Sequence, residues 1–89
     1  MKSRISKDFR KALRNLPPDV QRAAYEAYRV FKINPYHPSL QFKKVKENPL
    51  TFSVRISIKY RALGIMMSDD EILWYFIGSH GPYDKELKR

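Results

Sequence analysis

Residues 51–64 read TFSVRISIKYRALG, and the first nine of them decide the fold class. Phe52, Val54, Ile56 and Ile58 alternate with Ser53, Arg55, Ser57 and Lys59. A period of two puts the apolar set on one face of a strand and the polar set on the other. Such a strand covers a core on one side only, the habit of antiparallel sheets. Working outward, LQFKKVKE (residues 40–47) is expected to form the preceding strand, with a turn at ENP (residues 47–49). YRALGIMM (residues 60–67) and ILWYFIG (residues 72–78) are expected to follow as strands, separated by a turn at SDDE (residues 68–71). Consecutive strands with short links predict a meander.

Upstream the period lengthens. Ser6 can cap a helix over residues 7–16, with Phe9, Ala12, Leu13 and Leu16 as its buried stripe. Lys7, Arg10, Lys11 and Arg14 fall largely on the opposite side. LPPD (residues 16–19) interrupts this helix, and Pro18 and Asp19 suit the first turn of a second one. That helix runs to about residue 32, with Val20, Ala23, Ala24, Ala27, Tyr28 and Phe31 as its apolar side. INPYHPS (residues 33–39) ends it, because two close prolines cannot continue a helix. The expected architecture is α+β: an N-terminal helical hairpin packed on one face of a small antiparallel sheet, in one domain spanning residues 1–89. Two helices can cover only one sheet face. The other, carrying Arg55 and Lys59, is expected to be open, a plausible seat for a single nucleic-acid strand.

Charge agrees with that placement. The 89 residues hold 18 Lys/Arg against nine Asp/Glu, a net charge of +9. Residues 1–16 carry six basic groups against one acid, and residues 29–61 carry eight against one. Charge gathered in two zones predicts a patch that meets a polyanion. There is no cysteine, so disulfides, thiolate catalysis and cysteine zinc sites are excluded. His37 and His80 are the only histidines, and no acidic cluster stands at metal-ligand spacing, so no metal is expected. Asp69, Asp70 and Glu71 read as a solvated hairpin turn. With three glycines there is no phosphate loop, so no cofactor is expected either. No apolar run follows the basic start, and none reaches the length of a membrane span; a cytoplasmic protein without membrane contact is the expectation.

Cleavage of RNA fits such a residue set. A base takes the 2′-OH proton, the oxygen attacks the adjacent phosphorus, and an acid protonates the departing 5′-oxygen. Arginine holds phosphate with a planar, always protonated fork, and histidine suits proton transfer near neutrality. FIGSHGPYDKEL (residues 76–87) ends an apolar strand at Gly78 and presents His80 and Tyr83 beyond it. A strand end followed by a turn is expected there.

The order helix–helix–sheet, with FSVRISIKYRALG (residues 52–64) followed by LWYFIGSHGPYD (residues 73–84), resembles the RelE/ParE superfamily of toxins from type II toxin–antitoxin modules. The resemblance covers nearly the whole chain. It implies an mRNA endonuclease, usually acting at the ribosome, that inhibits translation and is neutralised by an acidic antitoxin. By the same resemblance Arg61 in YRAL looks like the phosphate-stabilising arginine, and Arg55 like the basic residue one strand earlier. His80 falls where related nucleases keep a histidine or arginine as the acid, and Tyr83 looks like a tyrosine used for stacking or proton transfer. Lys43, Lys44 and Lys46 are similar to a basic stretch that guides RNA; Lys59 joins them as an RNA-binding candidate through its place on the open sheet face. Glu47 is the nearest counterpart of a glutamate base found in some members; the base is otherwise a lysine or absent. The ParE branch keeps the fold and inhibits DNA gyrase instead, so non-catalytic inhibition is the alternative reading, together with an inactive member.

Overall fold

The computed structural model describes residues 1–89. In chain order it contains β1 (Lys2–Ile5), α1 (Lys7–Arg14), α2 (Pro18–Ile33), a 3-10 turn (Pro38–Leu40), β2 (Lys43–Lys46), β3 (Thr51–Arg55), β4 (Tyr60–Ser68), β5 (Glu71–Ser79) and α3 (His80–Leu87). The strands make one sheet in the order β1-β5-β4-β3-β2. β1 runs parallel to β5, and all other neighbours are antiparallel. The α+β class and the meander from β2 to β5 therefore follow the expected pattern.

Local chemistry explains the helix ends. The Ser6 hydroxyl accepts the Phe9 N–H at 3.0 Å, satisfying one of the unpaired donors of the first turn of α1. Gln21 reaches back from α2 to donate to the Leu16 carbonyl at 2.8 Å, which closes the proline-bearing link. After α2, the Asn34 side chain accepts the Tyr36 N–H, and His37 Nδ1 accepts the Ser39 N–H at 3.1 Å. His37 thus serves as a cap of the 3-10 turn.

One core forms where the apolar sides meet. Phe9 of α1 and Phe31 of α2 join Val54, Ala62, Ile72, Trp74 and Ile77 of the sheet, with Ala12, Leu13 and Leu16 packed against them. Phe31 sits edge-on to Trp74 with centroids 5.4 Å apart, a favoured aromatic geometry. Across the strands Val54 pairs with Ala62 and Ala62 with Ile77, so these three share the helix-covered face.

Gly64 on β4 lies beneath this core. A Cβ there would stand 2.7 Å from Ile72 Cγ1 and 2.8 Å from the Trp74 ring, and Ile72 is fully buried. Gly64→Ala is expected to destabilise by about 1–3 kcal/mol through overpacking. For a domain this size that lowers Tm by roughly 4–8 °C per kcal/mol, which a thermal melt reads directly. Gly81→Ala is the control, since a Cβ at Gly81 meets nothing within 4 Å.

Three expectations need correction. The strand expected over residues 51–59 stops at Arg55, and residues 56–59 turn back into β4, with the Tyr60 N–H bonded to the Ser57 carbonyl at 3.4 Å. Ile58, which alternation assigned to the covered face, is 77 % exposed at that turn. The second correction is β1, a strand of mostly polar residues that no period announces. The third concerns SHGPYD, expected as a turn, which opens α3. Pro82 fits there because the N–H it lacks would have had no partner in the first turn. α3 packs on the face opposite α1 and α2, so that face is open only in part.

Tyr75 of β5 lies under α3. Burial, and then the nearby Glu86 carboxylate, push its phenol above the ordinary value of 10.0. The unfolded chain therefore loses this proton first, so stability present below pH 10 falls as pH rises through the alkaline range. Tyr75→Phe is expected to flatten that part of a Tm-against-pH curve and leave the neutral part unaffected in slope.

Candidate active site

Arg55 and Arg61 are direct cross-strand partners at the end of the β3–β4 hairpin, and Arg61 is in turn opposite Gly78 of β5. Partners in register share a face, and neighbouring strands lie about 4.8 Å apart. The two guanidinium stems therefore stand side by side on the face opposite α1 and α2. The Phe76 ring lies over Gly78, where a Cβ would come within 2.8 Å of it. Phe76 so occupies the place beside Arg61 that a side chain at Gly78 would take.

Arg61 is fixed by its own hairpin turn. Its Nη1 donates to the Ser57 carbonyl at 2.8 Å and to the Tyr60 carbonyl at 3.2 Å. A guanidinium has five N–H donors, and Nε with Nη2 remain as the two-pronged edge that fits a phosphate. No carboxylate forms an ion pair with Arg55, Arg61, Lys59 or His80; the chain's ion pairs all lie elsewhere. Like charges directly opposite one another destabilise a sheet. An unneutralised pair held this way is an anion site in waiting.

His80 follows two residues after Gly78, is exposed and is the first residue of α3. The antiparallel ladder sets Ser79, its neighbour, opposite Tyr60, next to Arg61. The sheet thus brings Arg55, Arg61 and His80 to one rim, together with exposed Lys59 in the adjoining turn.

Other residues named from the sequence have different surroundings. Tyr83 is buried, 8 % exposed, and its hydroxyl donates to Ser53 Oγ at 2.8 Å. Its phenol holds α3 onto β3 and is not presented at the rim. Lys46 Nζ donates to the carbonyl of Arg89 at 2.8 Å, tying β2 to the chain end. Lys44 is paired with Glu47 at 2.6 Å, which leaves Lys43 as the unpaired cation of that strand. Glu47 precedes β3 at the end remote from Arg55; four residues of strand place Thr51 and Arg55 about 13 Å apart. Glu47 is therefore no base for this rim. The residue missed from the sequence is Ser53, the buried anchor of Tyr83, which alternation marked only as polar.

No family model and no curated protein matches the sequence. Solved structures do match the fold. The archaeal RelE–RelB complex of Pyrococcus horikoshii aligns with a TM-score of 0.71 and 20 % identity, covering 90 % of this chain and 94 % of that one. The RelB–RelE antitoxin–toxin complex of Methanococcus jannaschii gives 0.74 and 15 %, covering 93 % and 96 %. A YoeB/ParE toxin from Agrobacterium tumefaciens gives 0.69 and 14 %, covering 90 % and 99 %. With these likenesses over nearly its whole length, the chain shares the fold of these RelE and YoeB/ParE structures.

Proposed function

We propose that the chain is the toxin of a type II toxin–antitoxin module and that it cleaves messenger RNA, silenced by an antitoxin with an acidic segment. The observation that carries this reading is Arg55 standing opposite Arg61 with no carboxylate partner, and His80 at the same rim. Arg61 and Arg55 grip the scissile phosphate and stabilise the charge that builds on its oxygens. The 2′-oxygen attacks phosphorus as its proton passes to solvent, and His80 protonates the departing 5′-oxygen. The products are a 2′,3′-cyclic phosphate and a 5′-hydroxyl end. Lys59 and Lys43 guide the flanking strand electrostatically. Solved relatives in fold are toxin–antitoxin complexes, which supports an antitoxin partner. A ribosome-bound message, met in the cytoplasm, is the substrate this reading assigns.

The test is induction of the chain in bacterial cells, followed by mapping of message ends. Translation arrest with new 5′-hydroxyl ends is the expected result. A DNA-damage response with intact messages would identify a gyrase inhibitor of the same fold, and no growth effect would identify an inert one.

A further inference from the structure

The turn between β3 and β4 carries Ile58 at its tip, 77 % exposed. Nine large apolar side chains stay exposed in this chain, and Ile58 is the only one that lies between the two arginines. Turns are ordinarily built from Gly, Pro, Asn, Asp or Ser. Here the Tyr60 N–H bonds the Ser57 carbonyl, which leaves Ile58 and Lys59 in the two central positions, both with negative φ. Neither residue is a turn former, and Ile58 is no part of the core.

Bonds hold this tip in place of propensity. Arg61 Nη1 donates to the Ser57 and Tyr60 carbonyls at 2.8 and 3.2 Å, and the Ile56 and Ser57 N–H groups reach the Tyr60 carbonyl at 3.0 and 3.3 Å. The Ser57 carbonyl belongs to the peptide that leads into Ile58. The isoleucine therefore stands one peptide group from the guanidinium, braced against it. Its companions at the rim, Arg55, Lys59, Arg61 and His80, suit phosphate and proton transfer. Tyr83, the ring expected to stack on a base, is buried against Ser53 and leaves that task open.

Attack by the 2′-oxygen needs that atom in line with the P–O5′ bond it displaces. In a stacked A-form strand it lies well to the side, so the two nucleotides must be parted first. Proteins part bases with apolar wedges, isoleucine among them, which insert at one step and replace the stacking contact. We propose that Ile58 is such a wedge, entering between the bases that flank the scissile phosphate while Arg55 and Arg61 hold the phosphate itself. It sets the geometry of the strand and contributes no proton and no charge. The proposal rests on the RNA-cleavage reading for its effect on rate; the unstacking itself is measured on a strand that cannot be cut.

The probe is a short single strand of 2-aminopurine nucleotides with 2′-O-methyl groups, whose fluorescence is quenched while its bases stack. The parent protein should bind it and raise the fluorescence severalfold. Ile58→Asn, which suits a turn, should keep Tm and bind within about threefold of the parent, because the cations are intact, yet give no rise. Ile58→Leu should restore most of the rise. On an RNA that the parent cuts at a mapped step, Ile58→Asn should lower kcat/KM about tenfold. With an abasic nucleotide 3′ of that step nothing is left to unstack, and parent and variant should cut alike. Binding by the parent without a rise overturns the proposal, as does failure to bind the strand. A rise that survives in Ile58→Asn, or equal losses on intact and abasic RNA, overturns it too. Cleavage of unmodified RNA by the parent, measured separately, decides the nuclease reading: a parent that unstacks the probe and cuts nothing keeps the wedge and loses the nuclease.

Discussion

Arg61→Ala is expected to slow cleavage of a short single-stranded RNA by on the order of 10²–10³, the range for losing one positioned donor to a developing charge. Two of the five guanidinium donors are already committed to the turn carbonyls of Ser57 and Tyr60, so the remaining edge meets phosphate in one orientation. No rotamer search is left to be done on binding. Arg61→Lys keeps the charge and loses the fork, and its rate should fall between those of the parent and the alanine variant. Loss of the two carbonyl bonds also loosens the hairpin turn, by about 1–2 kcal/mol. A melt alongside the rate measurement separates that contribution from the chemistry. Parent-like cleavage by a folded Arg61→Ala protein would remove the phosphate role from this residue.

The second large effect is expected at His80. Replacement by alanine should lower the rate by on the order of 10², the contribution of a placed general acid. Stability should hardly change, because the side chain is exposed and makes no hydrogen bond within the chain. A substrate with sulfur in place of the bridging 5′-oxygen gives the decisive comparison. Its thiolate departs without protonation, so His80→Ala should cut it nearly as fast as the parent does. Equal defects on both substrates would mean that the imidazole acts other than as the acid.

How much of this was legible beforehand differs from element to element. The stripe Phe9, Ala12, Leu13, Leu16 predicts α1, and all four residues lie in or against the core. Alternation placed Val54 on the covered face and Arg55 on the other, and the register agrees. The same alternation failed at Ile58, since a period of two carries no mark of where a hairpin turns back. β1 escaped notice because Lys2, Ser3, Arg4 and Ile5 have no apolar rhythm, and its pairing with β5 joins residues about 70 positions apart. α3 was hidden behind Gly81 and Pro82, which break helices in the middle but not in the first turn.

The site divides in the same way. Resemblance to the RelE/ParE superfamily named Arg55, Arg61 and His80, and the antiparallel pairing that sets the two arginines opposite each other joins adjacent strands, which is local information. The parting of Tyr83 and Lys46 from the rim was not local, whereas Lys44 is engaged by Glu47 only three residues on. Tyr83 became a structural anchor only when α3 folded back to place it 2.8 Å from Ser53, thirty residues earlier in the chain. Lys46 was engaged only because the chain end arrives beside β2. Sequence alone determined which charged and titratable side chains the chain carries and on which strands most of them fall. Packing across long separations decided which of those groups remain free for a ligand, since a side chain's availability depends on what the rest of the chain brings up against it.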